Sequence, residues 1–183
     1  MADVLAGIFV GGASSRMGTP KGLLRTASGV TLVDRWRALF DELGIEHVLV
    51  GVRPEYASVP LRSIADDPSG IGPIGGLAAL LSEAGARCAL AVACDMPFVT
   101  RDDVTALIEA PRAPIAAPRR AGRWEPLCAR YAPEVRALVG SRIAAGRYAL
   151  QGLLEEAGAV EVALPSAHLD DWDTPQDRET SES

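Results

Sequence analysis

Residues 4–10 (Val-Leu-Ala-Gly-Ile-Phe-Val) form an unbroken apolar run that stops at Gly11-Gly12. A strand apolar at every position is buried on both faces, as strands inside a parallel sheet are. Parallel strands need crossover helices, and the chain supplies them in alternation. Thr31 is placed to N-cap a helix whose face is Leu32, Trp36, Leu39, Phe40 and Leu43, ended by Gly44. Further strands are expected at 46–52, 61–65, 88–93, 114–118, 125–131 and 160–164. Helices are expected at 74–83, at 100–110 under a Thr100 cap, from Pro133 onward, and at 149–157. This order implies a three-layer α/β/α sandwich on a mostly parallel, Rossmann-like sheet. One domain is expected over residues 1–178, with 179–183 a fraying polar tail. Only 5% of residues are aromatic and 18 are glycine, so the core uses small side chains that let helices lie close to the sheet.

Charge and cysteine usage exclude several classes. The net charge is −6 and the pI about 5.0, against the basic footprint of a nucleic-acid binder. Cys88, Cys94 and Cys128 are an odd number without CxxC spacing and apart from His47 and His168, so neither a zinc site nor a disulfide framework is expected. Free thiols fit a reducing cytoplasm. No stretch reads as a secretion signal or is apolar for long enough to span a bilayer, so neither a membrane nor a nucleic acid is an expected partner. Among 18 basic residues Lys21 is the single lysine, and it follows a glycine-rich loop. A compact ammonium can do what a planar guanidinium cannot.

That loop, Gly11-Gly12-Ala13-Ser14-Ser15-Arg16-Met17-Gly18, sits where a parallel sheet binds ligands, at the carboxyl end of a strand. Successive amides in such a loop can cradle an anion, and Arg16 and Lys21 add charge. The glycine spacing does not fit a dinucleotide fingerprint, and Thr19-Pro20 separates Gly18 from Lys21 where a Walker loop would have Gly-Lys adjacent.

Carboxylates stand at three further places. Asp95 follows the strand expected at 88–93, where an acid is costly to desolvate unless it meets a cation, although Asp before a turn is also common. Asp171 and Asp173 alternate along an extended segment and share a side, with a solvated acidic loop as the plain alternative. Mg²⁺ needs only one or two protein carboxylates when phosphates complete its shell. Asp67 precedes a second glycine-rich loop, with Gly72, Pro73 and Gly75, that leads into a helix. Open backbone there can face a base while Asp67 accepts from a ribose hydroxyl, or the loop is a flexible turn.

The first loop resembles that of sugar-nucleotide-type nucleotidyltransferases. Together with Gly72-Pro73-Ile74-Gly75-Gly76, Cys94-Asp95-Met96-Pro97, Glu125-Pro126-Leu127-Cys128-Ala129-Arg130-Tyr131 and Asp173-Thr174-Pro175, the chain resembles the molybdenum cofactor guanylyltransferase family. The resemblance implies a nucleotide-diphospho-sugar transferase type of fold. It implies transfer of GMP from GTP to the phosphate of molybdopterin, release of pyrophosphate, and Mg²⁺ as cofactor. Carried over, Phe9, Val10, Gly11, Gly12, Gly72, Pro73 and Gly75 line the nucleotide pocket, and Asp67 and Asp95 contact the nucleotide. Lys21 contacts the triphosphate, and Arg16 and Lys21 neutralise the leaving pyrophosphate. Asp95 holds the metal, helped by Asp171 or Asp173. Arg119, Arg120 and Arg123 are outside this carry-over and could serve an anionic pterin or simply form a solvated hairpin. Transient contact with molybdopterin-delivering proteins is also compatible.

Two departures keep cytidylyl transfer open beside guanylyl transfer. Gly51 stands where the family often has Asn, and Asp173-Thr174-Pro175 looks more like the cytidylyl relatives. Transfer to a sugar phosphate is a further alternative. A non-catalytic nucleotide-binding domain is disfavoured because Lys21 and Asp95 are both present, and a dinucleotide-dependent oxidoreductase by the glycine spacing.

Overall fold

The structure, a computed structural model, describes residues 3–10, 20–26 and 28–172. Its frame is a seven-stranded sheet among the described residues, in the order β3-β2-β1-β4-β8-β5-β9. The strands are β1 (Val4–Phe9), β2 (Glu46–Val50), β3 (Ser63–Ile64), β4 (Cys88–Ala93), β5 (Ile115–Ala117), β8 (Cys128–Tyr131) and β9 (Val160–Glu161). A separate hairpin pairs β6 (Arg119–Arg120) with β7 (Arg123–Trp124). In the main sheet only β8 runs against its neighbours, so the sheet is mostly parallel.

Five helices cover it among the described residues: α1 (Leu32–Leu43), α2 (Pro73–Ala84), α3 (Arg101–Glu109), α4 (Val135–Ala144) and α5 (Leu150–Glu156). Strand alternation assigns the two faces. Ala6, Ile8, Leu90 and Val92 pack with Trp36 and Phe40 of α1 and Val104 and Leu107 of α3. Leu5, Phe9, Ala89 and Ala91 pack with Leu77 and Leu80 of α2, Val139 of α4 and Leu153 of α5. The three expected layers follow from that period of two.

The caps are those the sequence signals. Thr31 accepts the Asp34 N–H at 3.1 Å. Thr100 and Asp103 close a reciprocal capping box on α3. The expected edge strands shorten: 61–65 pairs only at Ser63–Ile64, and 160–164 only at Val160–Glu161. The hairpin weighed for Arg119, Arg120 and Arg123 forms, and its central residues, Ala121 and Gly122, both have positive φ.

Strand register brings the ends of β1, β2 and β4 to one level. The Val10 N–H donates to the Val50 carbonyl at 3.0 Å, and the Cys94 N–H to the Phe9 carbonyl at 3.2 Å. Across this end runs the loop from Asp66 to Gly72, held against α2 by the absence of a side chain at Gly75. A Cβ there would lie 2.2 Å from the Pro68 carbonyl oxygen. Gly75→Ala should therefore push the loop away and destabilise the fold by about 1–3 kcal/mol, read by urea unfolding.

Candidate active site

A cleft of about 990 Å³ opens at the carboxyl ends of β1, β2, β3 and β4. This is the edge where open α/β sheets bind ligands, and the volume suits a nucleotide-sized molecule. Phe9 enters it as the last residue of β1 and Val10 just beyond, Gly51 to Tyr56 after β2, Ala65 and Asp66 after β3, and Cys94 and Asp95 after β4. Gly72 and Pro73 contribute the start of α2.

Lys21 projects into the same cleft from a 3₁₀ turn, Lys21–Leu23, and its Nζ donates to Asp95 Oδ2 at 2.8 Å. The two side chains are 25% and 17% exposed. A pair this accessible contributes only about 0–1 kcal/mol. Its significance is geometric: it fixes an ammonium and a carboxylate side by side at a strand end. The turn itself is held by Gly22, whose N–H donates to the Tyr56 hydroxyl at 3.1 Å. A Cβ on Gly22 would lie 2.8 Å from that oxygen and 2.7 Å from Val33 Cγ2, so a larger residue would displace Lys21. Burial raises the Tyr56 phenol above its usual value, keeping the hydroxyl neutral.

The remaining expected residues are distributed as follows. Gly11, Gly12, Arg16 and Asp173 lie outside the described residues. Asp67 is exposed, and the cleft wall carries Asp66 instead. Burial raises the Asp66 carboxyl from its ordinary value, while the charge of Arg53 opposes the shift. Gly75 sits behind the wall, where its carbonyl accepts the Asp67 N–H at 3.1 Å and its N–H donates to the Gly72 carbonyl at 3.1 Å. Asp171 reaches Arg120, whose Nη1 donates to its Oδ1 at 2.9 Å, while Arg120 Nε donates to Glu125 Oε1 at 2.8 Å. Both groups proposed from sequence for pterin and metal are thus engaged with each other.

Among the described residues, no group of three or more His, Cys, Asp or Glu side chains is arranged to hold a metal ion. A hard cation held by Asp95 together with substrate phosphates needs no such group. Burial, reinforced by the Asp95 charge, pushes the Cys94 thiol up to about 12 and so favours its neutral form. The histidines are held structurally: His47 Nδ1 lies 2.8 Å from the Ile45 carbonyl, and His168 Nδ1 lies 2.9 Å from Asp103 Oδ2. Tyr56 and Asp66 line the cleft without having been assigned a role from the motifs. Only the strand-end position of their loops could have pointed to them.

The model of the MobA-like NTP transferase domain matches residues 6–160. The chain belongs to this family. It is a nucleotidyltransferase with the α/β fold of that family. A probable molybdenum cofactor guanylyltransferase of Opitutus terrae is 33% identical over 97% of this chain and 95% of its own length. A molybdenum cofactor guanylyltransferase of Xanthomonas euvesicatoria is 41% identical, over 51% of this chain and 47% of that protein, so the match spans about half of each. Among solved structures, molybdopterin-guanine dinucleotide biosynthesis protein A of Archaeoglobus fulgidus shares the fold at a TM-score of 0.77 and 23% identity, covering 97% of this chain and 96% of its own. No helix among the described residues is long and apolar enough to cross a membrane.

Replacing Lys21 by Arg preserves charge and loses the compact ammonium. Nucleotidyl transfer should fall about 10- to 100-fold, the cost of a misplaced reacting group, at an unchanged melting temperature. Full activity in Lys21→Arg would show that charge alone suffices.

Proposed function

We propose that this nucleotidyltransferase moves GMP from GTP to the phosphate of molybdopterin in molybdenum cofactor biosynthesis. The observation that carries the reading is the Lys21–Asp95 pair inside a strand-end cleft of nucleotide size. The names of the relatives supply the acceptor and the base. An oxygen of the molybdopterin phosphate attacks the α-phosphorus of GTP in line. The bond to the bridging oxygen of the β-phosphate breaks, and pyrophosphate leaves with that electron pair. The attacking phosphate is already anionic, so no side-chain base is required. That accords with two histidines committed to structural contacts.

Positioning and charge neutralisation therefore do most of the work. Lys21 neutralises phosphate oxygens. Phe9, Val10, Gly72 and Pro73 line the space for the nucleotide, and Asp66 offers an acceptor to its hydroxyl or amine groups. Asp95 is the residue to hold Mg²⁺, which when bound neutralises charge building on the transferred phosphate. The three free thiols suit a reducing cytoplasm as the place of work.

Incubation with molybdopterin, Mg²⁺ and each nucleoside triphosphate in turn tests this. GTP should give pyrophosphate and a guanylylated pterin, and Asp95→Ala should abolish both while circular dichroism stays native. Turnover with CTP in place of GTP would transfer the reading to cytidylyl chemistry. Near-normal turnover by Asp95→Ala would remove Asp95 from the metal.

A further inference from the structure

Two pieces of chain outside the cleft converge on its charged pair. The Trp172 N–H donates to the Asp95 carbonyl at 2.9 Å. The Trp172 ring is buried with Leu24 and Leu32 and meets Phe98 edge-on at 6.5 Å. Leu24 closes the turn that Lys21 opens, donating its N–H to the Lys21 carbonyl at 3.0 Å. Trp172 therefore bears on both members of the pair: directly on the Asp95 backbone through a hydrogen bond, and indirectly on the Lys21 turn through the cluster it shares with Leu24.

The neighbouring side chains secure Trp172 in place. Asp171 accepts from Arg120 Nη1 at 2.9 Å, and Asp170 Oδ1 lies 3.6 Å from the same nitrogen. On its other edge the guanidinium donates to Glu125 at 2.8 Å. Glu125 opens the stretch through Leu127, which lines the cleft and whose carbonyl accepts the Ala93 N–H at 2.7 Å, two residues before Asp95. One planar fork thus joins the segment 170–172 to the strand entry beside β4. A lysine in its place could not span both carboxylates in this way.

We infer that Arg120 is a positioning residue: it latches segment 170–172 against the Asp95 backbone and the Leu24 end of the Lys21 turn, and so sets the geometry of that pair. This rests on the nucleotidyl-transfer reading of the cleft. It gives Arg120 and Asp171 a use different from the pterin and metal roles considered from sequence. The Arg120 side chain is 32% exposed, so its ion pairs add little to global stability, and losing them should alter placement more than folding.

The test uses the full chain with Arg120→Gln, Asp171→Asn, the double variant and Arg120→Lys. Three quantities are read: hydrogen–deuterium exchange of the peptide containing Trp172, melting temperature, and kcat and KM for GTP and for molybdopterin. Exchange at Trp172 should rise about tenfold in each single variant and no further in the double, as local opening without global unfolding. The melting temperature should stay within a few degrees. The kcat should fall about 10- to 100-fold in both singles, and the double should be no worse, the non-additivity of a shared contact. Arg120→Lys should fold normally and remain impaired.

Unchanged exchange in Arg120→Gln and Arg120→Lys would overturn the latch whatever the activity. A rise confined to KM for molybdopterin would overturn it in favour of a substrate contact. Additive losses, with Asp171→Asn far worse than Arg120→Gln, would overturn it in favour of Asp171 as a metal ligand. Faster exchange in the variants beside a wild type that transfers no GMP would support the latch and overturn the functional reading instead.

Discussion

The Lys21–Asp95 pair depends on three separate attachments, and the rest of the site is arranged around them. The first is the register of β1 and β4, which sets the Cys94 N–H on the Phe9 carbonyl and so brings Asp95 to the strand end. The second is the contact of Gly22 with Tyr56, which fixes the turn that carries Lys21. The third is Trp172, which hydrogen-bonds Asp95 and packs beside the Lys21 turn. None of these is strong alone. Together they hold two opposite charges at 2.8 Å in a partly open cleft, where the pair adds little to stability.

Much of this was legible in the chain because its cause is local. The apolar run at the start of the chain, the Thr31 and Thr100 caps and the alternating strand and helix patterns each follow from neighbouring residues. The place of Asp95 was legible for the same reason, as an acid just beyond an apolar strand. The short edge strands were not, since pairing on one side only is set by the partner and not by the segment. The hairpin at Arg119–Trp124 lacks the Asn-Gly or Asp-Gly signal, and Ala121 takes positive φ without a sequence cue.

The candidate site was legible where a motif and a strand end coincide, and not where tertiary contact decides. Asp66 and Asp67 are adjacent, and their order says nothing about which one faces a cleft. The contact of Gly75 with Pro68 and the path of the loop place Asp66 on the wall. Asp171 reads as an available carboxylate until Arg120, distant in sequence, is brought to it by the hairpin. Tyr56 was unreadable because its role is to accept a hydrogen bond from a backbone amide across the fold. Gly51 lies on the cleft wall and adds no amide side chain there, while the polar residues Arg53, Glu55, Asp66 and Ser69 line the same cleft.

The most direct test of the central claim is a crystal structure with a non-hydrolysable GTP analogue bound. The account requires the analogue in the cleft between Phe9 and Tyr56, with a phosphate oxygen within hydrogen-bond distance of Lys21 Nζ. A nucleotide bound elsewhere, or phosphates that leave Lys21 untouched, would contradict it.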